Sequence, residues 1–292
     1  MKRKVAAVTG ATGGIGGALA AEAIARGYDL VLHGRSGAKL DALKQRLAAK
    51  HPETRIVTIV GDLDSADGAY DVASRIAAAT DSLDLLINNA GVLLDGLPIS
   101  PDGIDMHTQV NLIAPYVMMT TLQPMLSMAR GQVINVSSGS AMRAKALSVQ
   151  SLKAPTDTRK LFGAYAQSKL ALALLTQTLA PEYSQHGILL VAADPGPVKS
   201  DMTAGNGMPG ILKLLRPFLY ATPEKGASQV FAAIDAEMES DRSGSFYPGG
   251  KRRDLPAFTR ETRLGEEILA FCAAQAAPER VALPVQPIRI GA

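Results

Sequence analysis

The chain has one cysteine, Cys272, in 292 residues, which excludes an intramolecular disulfide and any zinc site built from several thiolates. Its four histidines, His33, His51, His107 and His186, stand far apart with no metal-ligand spacing, so no metal is expected. Charge of one sign is also scarce. Thirty Lys plus Arg against 27 Asp plus Glu leave a formal charge of +3, and the basic residues are scattered, so no nucleic-acid partner is expected. Long apolar runs are missing as well. The uncharged stretch Met106 to Ala129 could span a bilayer by length, but Gln109, Asn111, Gln123, Pro115 and Pro124 interrupt it, and a buried helix is expected instead. The basic start Met1-Lys-Arg-Lys4 resembles a secretory leader, yet five glycines between Gly10 and Gly17 would break its apolar core. A soluble cytoplasmic protein without a membrane anchor, in a reducing compartment, is the expectation.

With 47% hydrophobic residues, 27 Gly and 17 Pro, the composition is that of a packed globular protein. Short apolar runs bounded by Gly, Asp or Asn alternate with helical patterns. The expected strands are residues 5–8, 30–33, 55–60, 83–88, 132–137, 189–193 and 244–247. The expected helices are 15–26, 38–50, 66–80, 104–128, 163–184 and 223–239. This alternation predicts an α/β fold with a doubly wound, seven-stranded parallel sheet of Rossmann type and helices on both faces. No low-complexity linker or internal repeat divides the chain, so one domain is expected over residues 1–275. Residues 141–162 exceed an ordinary strand-to-helix connection and are read as an insertion. Pro278, Pro284 and Pro287 forbid a regular helix in residues 276–292, which are read as an extended tail.

Thr9-Gly-Ala-Thr-Gly-Gly-Ile-Gly16 follows the first strand and opens the first helix, the place where backbone amides can meet a pyrophosphate. Its spacing, Gly10-x3-Gly14-x-Gly16, departs from G-x-G-x-x-G, because residue 19 is Leu. At the end of the second strand the sequence reads Leu32-His-Gly-Arg-Ser36, with no carboxylate before Asp41. Arg35 stands where a dinucleotide-binding protein selects its cofactor. A guanidinium there suits a 2′-phosphate, so NADP(H) is expected over NAD(H). No basic residue lies at Ala11 to Gly13, which leaves Arg35 as the one evident phosphate partner.

These residues resemble the short-chain dehydrogenase/reductase superfamily, through Thr9-Gly10-x3-Gly14-Ile15-Gly16, Asn88-Asn-Ala-Gly91, Asn111, Ser138, Tyr165-x3-Lys169 and Pro195-Gly196. The pattern covers about residues 4–250. The 27-residue gap from Ser138 to Tyr165, Ser243-Gly-Ser-Phe-Tyr-Pro248 and the Glu266-Glu-Ile-Leu269 helix resemble the retinol dehydrogenase and protochlorophyllide reductase branch. The resemblance implies a cofactor site made by Gly10, Thr12, Gly14, Ile15, Gly16 and Arg35, with Asp62 and Leu63 at the adenine. It places Asn89, Ala90 and Gly91 at the ribose region, with Asn88 bracing the sheet. Pro195, Gly196, Val198 and Ser200 would hold the nicotinamide carboxamide, and residues 198–221 would form a substrate lid. Possible homo-oligomers are a further implication.

The chemistry it implies is hydride transfer between NADP(H) and an alcohol or carbonyl compound. Tyr165 serves as proton donor, and Lys169, four residues on, shares its helix face and favours the ionised phenol. Ser138 would bond the substrate oxygen. It is chosen over Ser137 because adjacent side chains on a strand face opposite ways and the second serine matches the family position. Asn111 would hold a water beside the lysine, and Tyr165 and Lys169 would also contact the cofactor. Apolar residues in 207–220 suggest a largely apolar substrate. Arg143, Lys145, Lys153, Arg159 and Lys160 give the insertion a basic face. A serine hydrolase is excluded by the lack of a G-x-S-x-G elbow. The alternative from another class is a catalytically silent dinucleotide-binding sensor or interaction module.

Overall fold

The computed structural model describes residues 3–198, 220–240, 242–260 and 262–276. Seven strands form one sheet: β1 (Lys4–Val8), β2 (Tyr28–Gly34), β3 (Ile56–Val60), β4 (Leu85–Asn88), β5 (Gln132–Val136), β6 (Leu189–Ala193) and β7 (Ser245–Tyr247). Their spatial order is β3-β2-β1-β4-β5-β6-β7 and every pairing is parallel. The chain therefore winds outward from β1 in both directions, and the crossover between β1 and β4 opens a crevice at the carboxyl ends of those strands. All seven strands read from the sequence are present, with ends shifted by at most two residues.

The helices are α1 (Gly14–Ala25), α2 (Gly37–Lys50), α3 (Ala66–Ala79), a long α4 (residues 106–129), the short α5 (Val149–Lys153), α6 (Ala164–Gln185), α7 (Pro223–Glu239) and α8 (Thr262–Gln275). Hydroxyl side chains cap four of them: Ser36, Ser65, Ser148 and Thr222 accept from the backbone N–H of Lys39, Gly68, Ser151 and Lys225. Alternation along β1 shows how the sheet divides the core. Val5 and Ala7 pack toward α3, α4 and α6, and Ala6 and Val8 toward α1, α2 and α7. Strands buried on both faces are apolar throughout, which explains the runs visible in the sequence. At the sheet edge, the fully buried Glu237 holds β7 by accepting from the Ser245 N–H and the Tyr247 hydroxyl, both at 2.9 Å.

The helix expected over 104–128 forms over 106–129, with a π-helical turn inside it. α4 runs from Met106–Thr108 through a π-helical turn, Gln109–Ile113, into Ala114–Ala129. Asp105 caps its start, accepting from the Thr108 N–H at 3.1 Å. The wide turn is centred on Asn111, whose side chain bonds outward rather than facing a neighbouring turn. Residues 141–162 contain part of a 3-10 turn (Gly139–Arg143) and α5.

Phe231 of α7 is fully buried beneath the sheet, and the Arg26 guanidinium lies 4.5 Å from its ring centroid. Phe231→Ala is expected to cost about 3–5 kcal/mol of stability, a fall of about 6 to 20 °C in Tm. Thermal unfolding followed by circular dichroism checks this.

Candidate active site

The carboxyl ends of the strands enclose a cleft of about 1180 Å³. At one end lies the glycine turn. Gly13 precedes α1 in an extended conformation, no side chain caps that helix, and its first turn carries no acid, so the N-terminal amides are available to an anion. Gly10 has φ +64°, and a Cβ on Gly16 would stand 2.2 Å from the Gly10 carbonyl oxygen. Thr9 braces the turn by accepting at Oγ1 from the N–H groups of Asn89 and Ala90, each at 3.0 Å. Asn89 in turn donates through Nδ2 to the carbonyls of Thr9 and Gly10 at 2.9 and 3.1 Å. Asn88 donates to Asn135 Oδ1 and Asn135 to Thr176 Oγ1, both at 2.9 Å, a polar chain across buried strands.

Arg35 lines the cleft as expected, but it is not the only cation at that end. Lys39, four residues on in the first turn of α2, also lines it. His33 lines it too, its Nδ1 accepting from the Gly10 N–H at 3.4 Å and its Nε2 donating to the Gly61 carbonyl at 3.2 Å. Burial pushes the His33 imidazole below its ordinary pKa, so the ring is a neutral strut. Asp62, Leu63, Ala90, Gly91, Pro195, Gly196 and Val198 line the same cleft, whereas Ser200, most of the 198–221 segment and the tail beyond Ala276 lie outside the described residues.

At the other end Ser138, Tyr165 and Lys169 meet. Ser138 follows β5, and the Tyr165 phenol hydrogen-bonds its side chain. Ser137 points the opposite way and is buried, donating to the Lys169 carbonyl at 2.9 Å. Lys169 is 3% exposed and its Nζ donates to the Val136 carbonyl at 2.8 Å. Asn111 accepts at Oδ1 from the Val92 N–H at 2.8 Å and donates to the Val92 carbonyl and Ser168 Oγ, both at 3.0 Å. A Cβ on Gly91 would meet Asn111 Oδ1 at 3.0 Å and Lys169 Nζ at 3.2 Å, so the backbone there packs closely against both groups.

One electrostatic expectation is reversed. Lys169 does not hold the phenol below its ordinary value: burial pushes Tyr165 up to about 12, and the bond with Ser138 only partly offsets this. Burial also brings Lys169 down to about 8. Desolvation penalises both charged forms in a closed site, and the Asp194 carboxylate adds to the rise at Tyr165 and opposes the fall at Lys169. A further residue in the cleft had not stood out in the sequence. Asp194, at the end of β6, is 8% exposed, its carboxylate accepts from the Gly196 N–H at 3.0 Å, and burial pushes it above its ordinary pKa. The signal was an acid closing an apolar strand just before Pro195-Gly196.

The profile of the short chain dehydrogenase family matches residues 4–208. The chain belongs to that family. Among its relatives, bovine dehydrogenase/reductase SDR family member 13 (Bos taurus) is 29% identical over 92% of this chain and 72% of its own length. Mouse retinol dehydrogenase 12 (Mus musculus) is 27% identical over 91% and 84%. These short-chain dehydrogenase relatives agree with the retinol dehydrogenase branch inferred from the Ser138 to Tyr165 gap. Among solved structures, a blue fluorescent protein from a metagenomic library in complex with NADPH is 27% identical, with a TM-score of 0.65 over 84% of this chain and 95% of the other. A metagenomic short-chain oxidoreductase in complex with NADP is also 27% identical, with a TM-score of 0.59 over 84% and 97%. Among the described residues of this short-chain dehydrogenase, no helix is long and apolar enough to cross a membrane.

Proposed function

We propose that this short-chain dehydrogenase is an NADP(H)-dependent oxidoreductase acting on a largely apolar ketone or aldehyde, or on the corresponding alcohol. The observation that carries the reading is the meeting of Tyr165, Ser138 and Lys169 in one cleft with the glycine turn. The residues present fit the cofactor. The turn is packed so closely that a Cβ at Gly16 has no room, its helix amides are uncapped, and two cations stand at the end of β2. Gly10, Thr12, Gly14, Ile15 and Gly16 would hold the pyrophosphate, and Arg35 with Lys39 the 2′-phosphate. Asp62 and Leu63 would hold the adenine, Asn89, Ala90 and Gly91 the ribose region, and Pro195, Gly196 and Val198 the carboxamide, with Ser200 proposed beside them.

The bound cofactor supplies or accepts the hydride. In the reducing direction Ser138 orients the substrate oxygen and Tyr165 donates the proton to it. Its high pKa keeps the phenol protonated at neutral pH. Lys169 stands on the same helix face and stabilises the phenolate that proton donation leaves. Asn111, tied to Val92 and Ser168, fixes the wall beside Lys169, and the acceptor capacity left at its side-chain oxygen would hold the water through which the proton is replaced. Leu93, Val110, Leu161 and Phe162 line this end of the cleft, and Leu93 and Leu161 pack against the Tyr165 ring, which supports an apolar substrate.

Cofactor choice is tested at Arg35. Arg35→Ala is expected to lower the ratio of kcat/KM with NADPH to that with NADH by about ten- to a hundredfold, the worth of one charge-assisted contact. Adding Lys39→Ala should lower it further, and an unchanged ratio in the double variant would remove both cations from the phosphate site. Turnover itself is tested with a panel of apolar aldehydes and ketones. NADPH binding without consumption across the panel would assign the chain to the non-catalytic module instead.

A further inference from the structure

One cation in the cleft has no task in the proton and hydride transfers above. Of the basic residues in 141–162, which are Arg143, Lys145, Lys153, Arg159 and Lys160, Arg143 alone lines the cleft. Arg159 is held by Asp157 at 2.6 Å and Lys160 by Asp95 at 3.5 Å, whereas no carboxylate among the described residues pairs with Arg143. Arg143 is exposed, and its guanidinium lies 5.5 Å from the centroid of the Phe162 ring, within range of the attraction between a cation and an aromatic face. Both residues belong to segments that carry the reacting groups. Arg143 closes the 3-10 turn Gly139–Arg143 that Ser138 opens, and Phe162 lies three residues before Tyr165.

The other cations that line the cleft are accounted for. Arg35 and Lys39 stand at the glycine-turn end, and Lys169 donates to the Val136 carbonyl. Nor do the acids that line it neutralise Arg143. Asp62 and Asp64 follow β3 at the far edge of the sheet, Asp95 has Lys160, and Asp194 is buried and bonded to the Gly196 N–H. A guanidinium steadied on an aromatic ring keeps its N–H edge free, and that edge matches the two oxygens of a carboxylate. Beside Tyr165 the cleft is apolar, with Leu93 and Leu161 packed on its ring. A 3-10 turn rises about 2 Å per residue, so the Arg143 backbone stands about 10 Å along the turn from Ser138. That separation suits an apolar spacer between a carbonyl held at Ser138 and an anion held at Arg143.

We infer that Arg143 is a specificity-determining residue that receives a carboxylate, so that the substrates are carbonyl compounds, or the corresponding alcohols, with an apolar body and a carboxylate at the far end. The inference rests on the oxidoreductase reading above and deepens it. Matched pairs of aldehydes and ketones, the same chain ending either in a methyl group or in a carboxylate, are assayed with NADPH over a range of chain lengths. On the wild-type chain kcat/KM should favour the carboxylate-ended member at the length that spans Ser138 and Arg143, and the preference should fall as salt is raised. Arg143→Gln is expected to lower the ratio of carboxylate-ended to methyl-ended kcat/KM by about tenfold, the worth of one charge-assisted contact. Arg143→Lys, which keeps the charge and loses the planar fork, should keep part of the ratio. Thermal unfolding serves as the control for folding. A purely structural role would depress both members of a pair alike and leave the ratio unmoved, and a guanidinium that served the cofactor would raise the Kd for NADPH instead. Either result, or a wild-type chain that favours the methyl-ended member at every length, or a ratio within threefold of wild type in folded Arg143→Gln, overturns the inference while leaving the oxidoreductase reading standing. Failure of the wild-type chain to consume NADPH with any member of any pair overturns both.

Discussion

Replacing Tyr165 by Phe is expected to lower kcat/KM for carbonyl reduction by about 10²- to 10⁴-fold, the usual contribution of a positioned proton donor. The ring of Tyr165 packs against Leu93 and Leu161, with the His107 ring edge-on at 6.5 Å, and Phe preserves all of that packing. Only the hydroxyl is lost, together with its bond to Ser138. The Kd for NADPH should therefore stay within about threefold and the Tm within a few degrees, because one hydrogen bond contributes about 1 kcal/mol. The effect on turnover is large because the proton must come from a group aimed at the substrate oxygen, and the neighbouring donors are bonded elsewhere. Lys169 is engaged with the Val136 carbonyl, and the Asn111 amide is spent on Val92 and Ser168. Steady-state kinetics beside a binding titration makes the test, and undiminished turnover would falsify the role given to Tyr165.

Gly16→Ala should act on the other end of the cleft and through a different link, the backbone. The new methyl would lie 2.2 Å from the Gly10 carbonyl oxygen, 2.8 Å from Ala11 Cα and 2.8 Å from Asn89 Nδ2. Two of these are main-chain atoms that no rotamer change can move, and the third is the side chain that clamps Thr9 and Gly10. By contrast, a Cβ on Gly13 would meet its nearest neighbour at an ordinary 3.6 Å. The turn must therefore open, at a cost of about 1–3 kcal/mol, and the helix amides move away from the pyrophosphate. A rise of more than tenfold in the Kd for NADPH is expected, with a fall of several degrees in Tm. A Kd equal to that of the wild-type chain would mean that this turn is not the cofactor cradle.

How much of this was legible beforehand differs from element to element. β1, β4 and β6 are buried on both faces and so appear in the sequence as unbroken apolar runs, whose limits the structure reproduces to within two residues. α4 forms where its pattern places it, with one feature the pattern does not show. Its apolar pattern gave no hint of the π turn, because that turn arises from Asn111 reaching Val92 and Ser168, partners 19 and 57 residues away. The choice of Ser138 over Ser137 rested partly on strand alternation, and the two side chains do face apart, one bonded to Tyr165 and the other to the Lys169 carbonyl. Lys39 is not legible from the strand end, because it stands in the helix turn that follows.

By itself the sequence determined the order of strands and helices, the glycine turn between β1 and α1, and the helical spacing that puts Tyr165 and Lys169 on one face. Each of these depends on neighbours within a few residues, so periodicity and turn chemistry suffice to read them. Only the tertiary structure decided the sign of the Tyr165 shift, the approach of Gly139 and Gly196 to Asp194, and the company that Lys39 keeps with Arg35. Desolvation and long-range hydrogen bonds depend on what the rest of the chain brings to a point in space, and no local pattern records that.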